Sequence, residues 1–460
     1  MNILYVVHYF LPAHQAGTEI YTSLLARRFQ EDGHRVRVLA SEDGPPSGQD
    51  VEIKEDRWQD IPVFRLYRHE PRNFAESYTD ERIDRAFEGL LDELRPDVVH
   101  FQHTFRLSAG MIETAKKHGA AVLVTLADYW FICPPILLLQ PRGVLCSGPA
   151  PPKCAQCGNA IGVLYSGSAE NTTLGKIYES LVRTAHDMKR SLPRPLVERL
   201  RFWKQARELS DPDSSYKKRL AMIEQRQKTM KNALASADLV IAPSRFMLEK
   251  TVEAGAVERE RIVHSDYGFD KTPFQGLKKM PGETVRFGYV GTPVEHKGLH
   301  VAVEAMNMAS DAPAELLVYG DLSWFPAYAR RLRCMSRNPR TRFMGRFEHH
   351  DIAEVLAGLD AVIVPSLWYE NSPLTMHEAF MAGVPVVASD MGGMKELLEN
   401  GGGRTFQPGD PADLARVIRE IASDPSELEK LAASIPEVKS IEENAEELLH
   451  WYQKFSSQQG

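Results

Sequence analysis

No stretch of the 460-residue chain strings together the roughly eighteen apolar residues a membrane-spanning helix needs. The N-terminal MNILYVVHYF has no basic lead-in before its apolar run, which argues against a secretory leader. A cytoplasmic location is therefore expected. Charge of one sign is not in excess either: 55 Lys and Arg against 62 Asp and Glu give a net charge of −7. That balance supplies no global field for nucleic acid, and no nucleic-acid partner is expected. Internal repeats and low-complexity tracts are missing. Cysteine is scarce, with five residues, too few for a disulfide scaffold, yet four of them crowd between Cys133 and Cys157. In a cytoplasmic chain such crowding points to metal before disulfide. What is present is ordinary globular material, 43% hydrophobic and 25% charged. The length exceeds what one core sustains, about 250–300 residues, so two domains are expected.

The apolar pattern says how they are built. Residues 2–8 (NILYVVH) read as a buried strand. After a loop with Pro12 and Gly17, residues 19–30 place Ile20, Leu24, Leu25 and Phe29 on one helical side, Gly33 stops the helix, and 36–39 form the next strand. This strand–loop–helix–strand unit opens a doubly wound parallel sheet. Strands at 97–101 and 121–126 flank a helix at 111–118, and the rhythm breaks over about 131–232, an insertion rich first in Pro and Cys, then in charge. It resumes at 237–242. A linker with two Pro and two Gly, TPFQGLKKMPGE, ends a first domain of residues 1–270. A second Rossmann-like domain spans 284–435, with strands at 285–290, 315–319, 341–343, 361–364 and 384–388. Residues 436–460 hold a final amphipathic helix, expected to pack back toward the first domain. The fold class is α/β, with the two halves facing a cleft.

Chemistry concentrates at strand ends. After the strand at 361–364, a loop with Glu370, Asn371, Ser372 and Pro373 enters a helix beginning near Leu374. Ser372 suits the N-cap and Pro373 the first turn, leaving free amides that can hold a diphosphate without a metal. Glu370 and Glu378, eight residues apart, offer one carboxylate to a sugar and one to a ribose. Gly291 and Lys297, after the strand at 285–290, offer close backbone approach and a cation. In the first domain, Thr18 is either an N-cap or part of a phosphate-facing loop with Gly17. His103 and Asp128 follow strands and face the cleft as candidate catalytic groups. Asp211-Pro-Asp213 matches a metal-binding D-x-D pattern but reads as a turn. Cys133, Cys146, Cys154 and Cys157, spaced C-x12-C-x7-C-x2-C, fit a structural zinc site, with free thiols or disulfides as the alternatives. Residues 183–231 are locally basic, from Arg183 to Arg219, with Phe202 and Trp203 interleaved. They form either a solvated face or a peripheral contact with an anionic membrane, at its inner face.

The segment WYENSPLTMHEAFMAGVPVVASDMGGMKELL (368–398) resembles the signature of retaining GT-B glycosyltransferases of family 4, the group 1 glycosyl transferases. Glu370 and Glu378 stand as its E-x7-E motif. The resemblance implies a metal-independent site for a nucleotide-diphosphate sugar. Glu378 would meet the donor ribose, amides around Ser372–Leu374 the diphosphate, and Glu370 the transferred sugar. Gly17, Gly291, Thr292, Lys297, Gly320, Arg346, Asn371 and Pro373 would complete the donor site. Thr292 replaces the family's arginine, and Ala127 its histidine in TLADYWFICP. The expected activity is transfer of a sugar, with retention, to a glycan, lipid-linked or small-molecule acceptor. A sugar-nucleotide epimerase and a non-catalytic nucleotide-sugar-binding protein are the alternatives.

Overall fold

The structure is a computed structural model that describes residues 1–44, 50–158, 160, 212–278, 282 and 284–457. Two sheets organise it. The first has eight strands in the order β3-β4-β2-β1-β5-β6-β7-β8. They are β1 (Asn2–Val7), β2 (Arg35–Ser41), β3 (Val51–Trp58), β4 (Ile61–Arg68), β5 (Val98–Phe101), β6 (Ala121–Thr125), β7 (Leu239–Ala242) and β8 (Ile262–His264). All neighbours run parallel except β3 with β4. β1 pairs on both sides, Ile3 facing Val36 on β2 and Val98 on β5, so its residues from Ile3 to Val7 are apolar throughout and buried. That is the pattern of a parallel strand covered on both faces. β3 is the opposite case. Its sequence VEIKEDRW is largely exposed along the sheet edge, where charge discourages edge-to-edge pairing.

The second sheet has six parallel strands in the order β11-β10-β9-β12-β13-β14. These are β9 (Val285–Val290), β10 (Ala314–Tyr319), β11 (Thr341–Gly345), β12 (Ala361–Val364), β13 (Val386–Ser389) and β14 (Gly403–Phe406). In each sheet the order reverses beside the first strand, between β1 and β5 and between β9 and β12. Such switch points open crevices at the carboxyl ends of the strands. The fold is thus α/β of the GT-B kind, two parallel-sheet domains.

The chain crosses back at its end. Phe269 forms a parallel bridge with Ser440, and helix Ile441–Ser456 lies against helix Gly17–Glu31 of the first domain. Tyr452 Oη sits 2.6 Å from His100 Nδ1, and Tyr21 Oη donates to Asn444 Oδ1 at 2.7 Å. A capping box of Ser440 and Glu443 starts that helix. One buried cluster runs from Ile3 and Leu25 through Met376 and Val386 to Tyr452, so the two domains share apolar packing.

Two local expectations change. Helix Gly17–Glu31 takes Ala16 as its N-cap without a side-chain cap, and Thr18 lies inside the helix, accepting from no first-turn amide. Its hydroxyl neighbour Thr22 instead returns a bond to Thr18 O. Pro212 and Asp213 open helix Pro212–Ser236 rather than a turn, because proline suits the first helical position; Asp211 lies outside the described residues. Most of the basic segment 183–231, including Arg183, Phe202 and Trp203, also lies outside them. Of its described members, Arg219 spends Nε on Ala155 O at 2.9 Å. Among the described residues no helix is long and apolar enough to cross a membrane.

Candidate functional site

The second-domain half is built on glycines. Gly298 has φ +70, and a Cβ there would lie 1.8 Å from Pro365 O. Only glycine lets the loop after β9 turn left-handed against the loop after β12. A Cβ on Gly393 would lie 1.4 Å from Asn371 O, while its N–H donates to Glu370 O at 2.9 Å. The 369–371 loop is therefore clamped from both sides. Gly320 N donates to Gly345 O and Gly291 N to Tyr319 O, which draws the ends of β9, β10 and β11 together.

This clamp places Lys297 Nζ 2.9 Å from Glu370 Oε1. The same oxygen accepts from Ser366 Oγ and from Trp368 Nε1, both at 2.8 Å. Glu370 is buried, and burial alone would raise its carboxyl. The Lys297 charge and the three donors outweigh it and hold Glu370 below the ordinary glutamate range. Its other oxygen, Oε2, accepts no protein hydrogen bond among the described residues, which leaves it for a hydroxyl. Glu378, on helix Leu374–Met381, is buried and holds His349 Nε2 at 2.8 Å.

Helix Leu374–Met381 begins with Pro373 at the N-cap. Ser372 does not cap it, contrary to the sequence expectation. Its hydroxyl donates to Asp266 Oδ1 at 2.6 Å and takes His377 Nε2 at 2.7 Å, and that charged partner outcompetes the helix amides. Met376 N–H turns back to Pro373 O at 3.0 Å, while the Leu374 and Thr375 amides have no acceptor within the helix. Gly17 closes over them from the first domain, where a Cβ would stand 3.0 Å from Leu374 Cδ1. Asn371 spans the domains: its amide nitrogen donates to Leu126 O at 2.8 Å and its oxygen accepts from Ser244 Oγ at 2.8 Å. Thr292 is exposed, its carbonyl taken by Tyr289 Oη at 2.9 Å. Arg346, with its side chain 59% exposed, pairs with Glu348 at 3.0 Å rather than with Glu370 or Lys297.

The first-domain half gathers at the ends of β1, β5 and β6. His103 Nδ1 accepts the Phe105 N–H at 2.8 Å, so its proton sits on Nε2, which lies 2.9 Å from Asp128 Oδ2. Asp128 Oδ1 takes the Trp130 N–H at 2.8 Å. His103 thus has both nitrogens engaged and orients Asp128. Two residues not proposed from the sequence as site groups complete the cluster. His8 packs 4.5 Å from the His103 ring, and its Nε2 lies 3.4 Å from Glu19 Oε1. Burial, with the neighbouring His103, pushes the His8 imidazole down, and burial pushes the Glu19 carboxyl up. His8 Nδ1 and Glu19 Oε2 are buried without a hydrogen-bond partner. Buried polar atoms in folded chains are normally paired, so these two call for a partner from solvent or ligand. The only sequence signal for His8 was its place at the end of β1. The four cysteines follow the Asp128 loop, where Cys133 N–H bonds Tyr129 O at 2.7 Å.

Two parallel-sheet domains joined across such a site define a GT-B fold. Residues 16–150 match the family described as Glycosyl transferase 4-like domain, and residues 284–424 the family described as Glycosyl transferases group 1. The chain therefore carries the paired domains of the group 1, family 4-like GT-B glycosyltransferases. It is 33% identical over 204 residues to the glycogen synthase of Mycobacterium tuberculosis, covering 43% of this chain and 48% of that protein. It is 29% identical over 154 residues to the 2-deoxystreptamine glucosyltransferase of Streptomyces kanamyceticus, covering 33% and 39%. The chain spans about half or less of the length of these relatives. Among solved structures, sucrose-phosphate synthase from Thermosynechococcus elongatus superposes with a TM-score of 0.63 at 18% identity, over 99% of both chains. Anabaena HepE in complex with UDP and glucose gives 0.59 at 15% identity, over 100% and 99%. At such identities the likeness carries the fold.

Proposed function

We propose that the chain transfers a sugar from a nucleotide-diphosphate sugar to an acceptor hydroxyl, with retention of anomeric configuration and without a donor-site metal. The observation that carries this reading is the Lys297–Glu370 pair beside the unpaired amides of helix Leu374–Met381. A cation and a helix N-terminus side by side suit a leaving diphosphate. Lys297 and the amides take up the charge that develops as the bond from the anomeric carbon to the diphosphate oxygen breaks. The acceptor oxygen bonds to the same face of that carbon, and its proton passes to the departing phosphate oxygen. Glu370 Oε2 orients a hydroxyl of the transferred sugar, and Glu378 takes the ribose. Gly291 lets the backbone approach the diphosphate, and Gly320 and the backbone near Arg346 line the base side. UDP in the HepE structure supports a nucleotide-sugar donor here.

Asp128, oriented by His103, and the unpaired atoms of Glu19 and His8 offer hydroxyl-binding groups on the acceptor side. A glycan, lipid-linked or small-molecule acceptor all present such hydroxyls.

The test is turnover with a panel of nucleotide sugars, following nucleotide release and the anomeric configuration of the product by NMR. Lys297→Ala is expected to lower kcat/KM at least about 100-fold. Unchanged turnover in that variant, or an inverted product, overturns the mechanism. Nucleotide-sugar binding with no turnover in the wild-type chain favours the binding-protein reading.

A further inference from the structure

The cysteine-bearing segment is not used by the reaction, and its four thiols do not scatter. Cys133, Cys146, Cys154 and Cys157 line one small, partly open cavity of about 20 Å³ with Pro134, Pro149 and Lys153. All four are free thiols. Residues 154–157 form a tight turn, with Cys157 N–H on Cys154 O at 3.1 Å, the geometry a C-x2-C pair needs to offer both sulfurs to one centre. Leu139 and Leu145 bridge in antiparallel fashion, and Cys146 N–H returns to Leu138 O at 2.8 Å. Cys133 and Cys146 are thereby brought to the same cavity from either side of that small hairpin.

A second feature lies on a neighbouring helix, where a guanidinium sits over the Tyr78 and Trp130 rings. Arg226, on helix Pro212–Ser236, is 1% exposed, lies 4.6 Å from the Trp130 ring and donates to Trp130 O at 2.5 Å. Its Nε and Nη1 find no partner. A buried guanidinium without an anion is costly. The thiols of Cys133 and Cys154 are among its nearest titratable neighbours. A tetrathiolate metal centre carries net negative charge and would supply the missing anion.

We infer that Cys133, Cys146, Cys154 and Cys157 bind a structural zinc ion, with Arg226 as its counter-charge. Among the described residues no three His, Cys, Asp or Glu side chains are already drawn together as a bound metal draws them. The inference rests on the shared cavity and the orphaned cation. Each ligating thiol releases its proton to solvent, and the four side chains must turn their sulfurs toward one centre in the cavity they line. The metal would staple a Pro- and Gly-rich segment whose Leu138 is buried in the first-domain core. The staple reaches the site: Cys133 N–H bonds Tyr129 O at 2.7 Å, so the loop carrying Asp128 is anchored to it.

The experiment uses the full chain, expressed in zinc-supplemented medium and dialysed without chelator. Elemental analysis should give about one zinc per chain. Cys334→Ser, at an exposed cysteine outside the cavity, should keep it, and Cys154→Ser with Cys157→Ser should lose it. If that double variant does not fold, cobalt substitution of the wild-type chain replaces it, with tetrahedral thiolate bands as the expected spectrum. Zinc below about one tenth per chain, with all five thiols reactive in the native protein, overturns the inference. So does an intact mass lowered by disulfide formation, or iron in place of zinc. The glycosyltransferase reading stands or falls separately, on turnover.

Discussion

At the scale of single residues, Glu19 carries the clearest tension. Its carboxyl is buried with one oxygen unpaired, and burial raises its proton affinity. A raised pKa in the folded chain means that the native state binds the proton more tightly. The associated stability is fully present below the ordinary value of 4.5 and is lost as pH rises through the higher folded value. Glu19→Gln keeps the shape and removes the titration. It should unfold at higher denaturant than the wild-type chain at pH 8, by about 1–3 kcal/mol, with the difference shrinking toward pH 4. Its acceptor KM should rise at the same time, because a site kept polar and unpaired gives up stability for binding. Equal stability at both pH values would mean that Glu19 is already satisfied. From the sequence, Glu19 was visible only as the first residue of the helical stretch 19–30. Its burial beside His8 follows from the crossing of β1 and helix Gly17–Glu31, which no local pattern encodes.

At the scale of elements, much was legible where periodicity is strong. β1, β9 and β12 are short apolar runs buried on both faces, and their sequences say so. The edge hairpin of β3 and β4 was not legible. β3 alternates weakly and is charged, because an edge strand faces water on most of its length. The cap of helix Leu374–Met381 was misread because Ser372 answers to Asp266, 106 residues away, rather than to its own helix. Glycines show the same division. Gly89 is inside helix Glu81–Leu94 with open space around it, and Gly89→Ala should stabilise the chain by up to about 1 kcal/mol. Gly298→Ala must place a Cβ 1.8 Å from Pro365 O at φ +70. The left-handed backbone alone costs about 1 kcal/mol, and the clash displaces the loop holding Lys297. A Tm lowered by roughly 5 °C or more is expected, together with weakened nucleotide binding. Thermal melts of the two variants side by side check the contrast; similar Tm values would remove Gly298 from the site's architecture.

At the scale of the whole molecule, the question is what holds two Rossmann-like halves in register. Helix Ile441–Ser456 ties the chain's end to the first sheet, and Glu396 accepts the Arg245 and Phe246 amides across the domains at 2.9 and 3.0 Å. Asn371 is the central tie, joining Leu126, 245 residues away, to Ser244, 127 away. Such separations are why the sequence motif could place Asn371 only by resemblance, among donor-binding groups. Its side chain is spent on the partner domain, so its removal should act on domain geometry and leave nucleotide contacts alone. Asn371→Ala is expected to keep nucleotide Kd within about threefold, well under 1 kcal/mol. Its kcat should fall at least tenfold, about 1.4 kcal/mol, because Asp128 and Glu370 no longer meet across the cleft at fixed spacing. Small-angle scattering with and without nucleotide should show a wider distribution of domain separations in the variant. The opposite split, a Kd raised tenfold with kcat intact, would return Asn371 to the donor site and leave the register to Glu396 and the C-terminal helix.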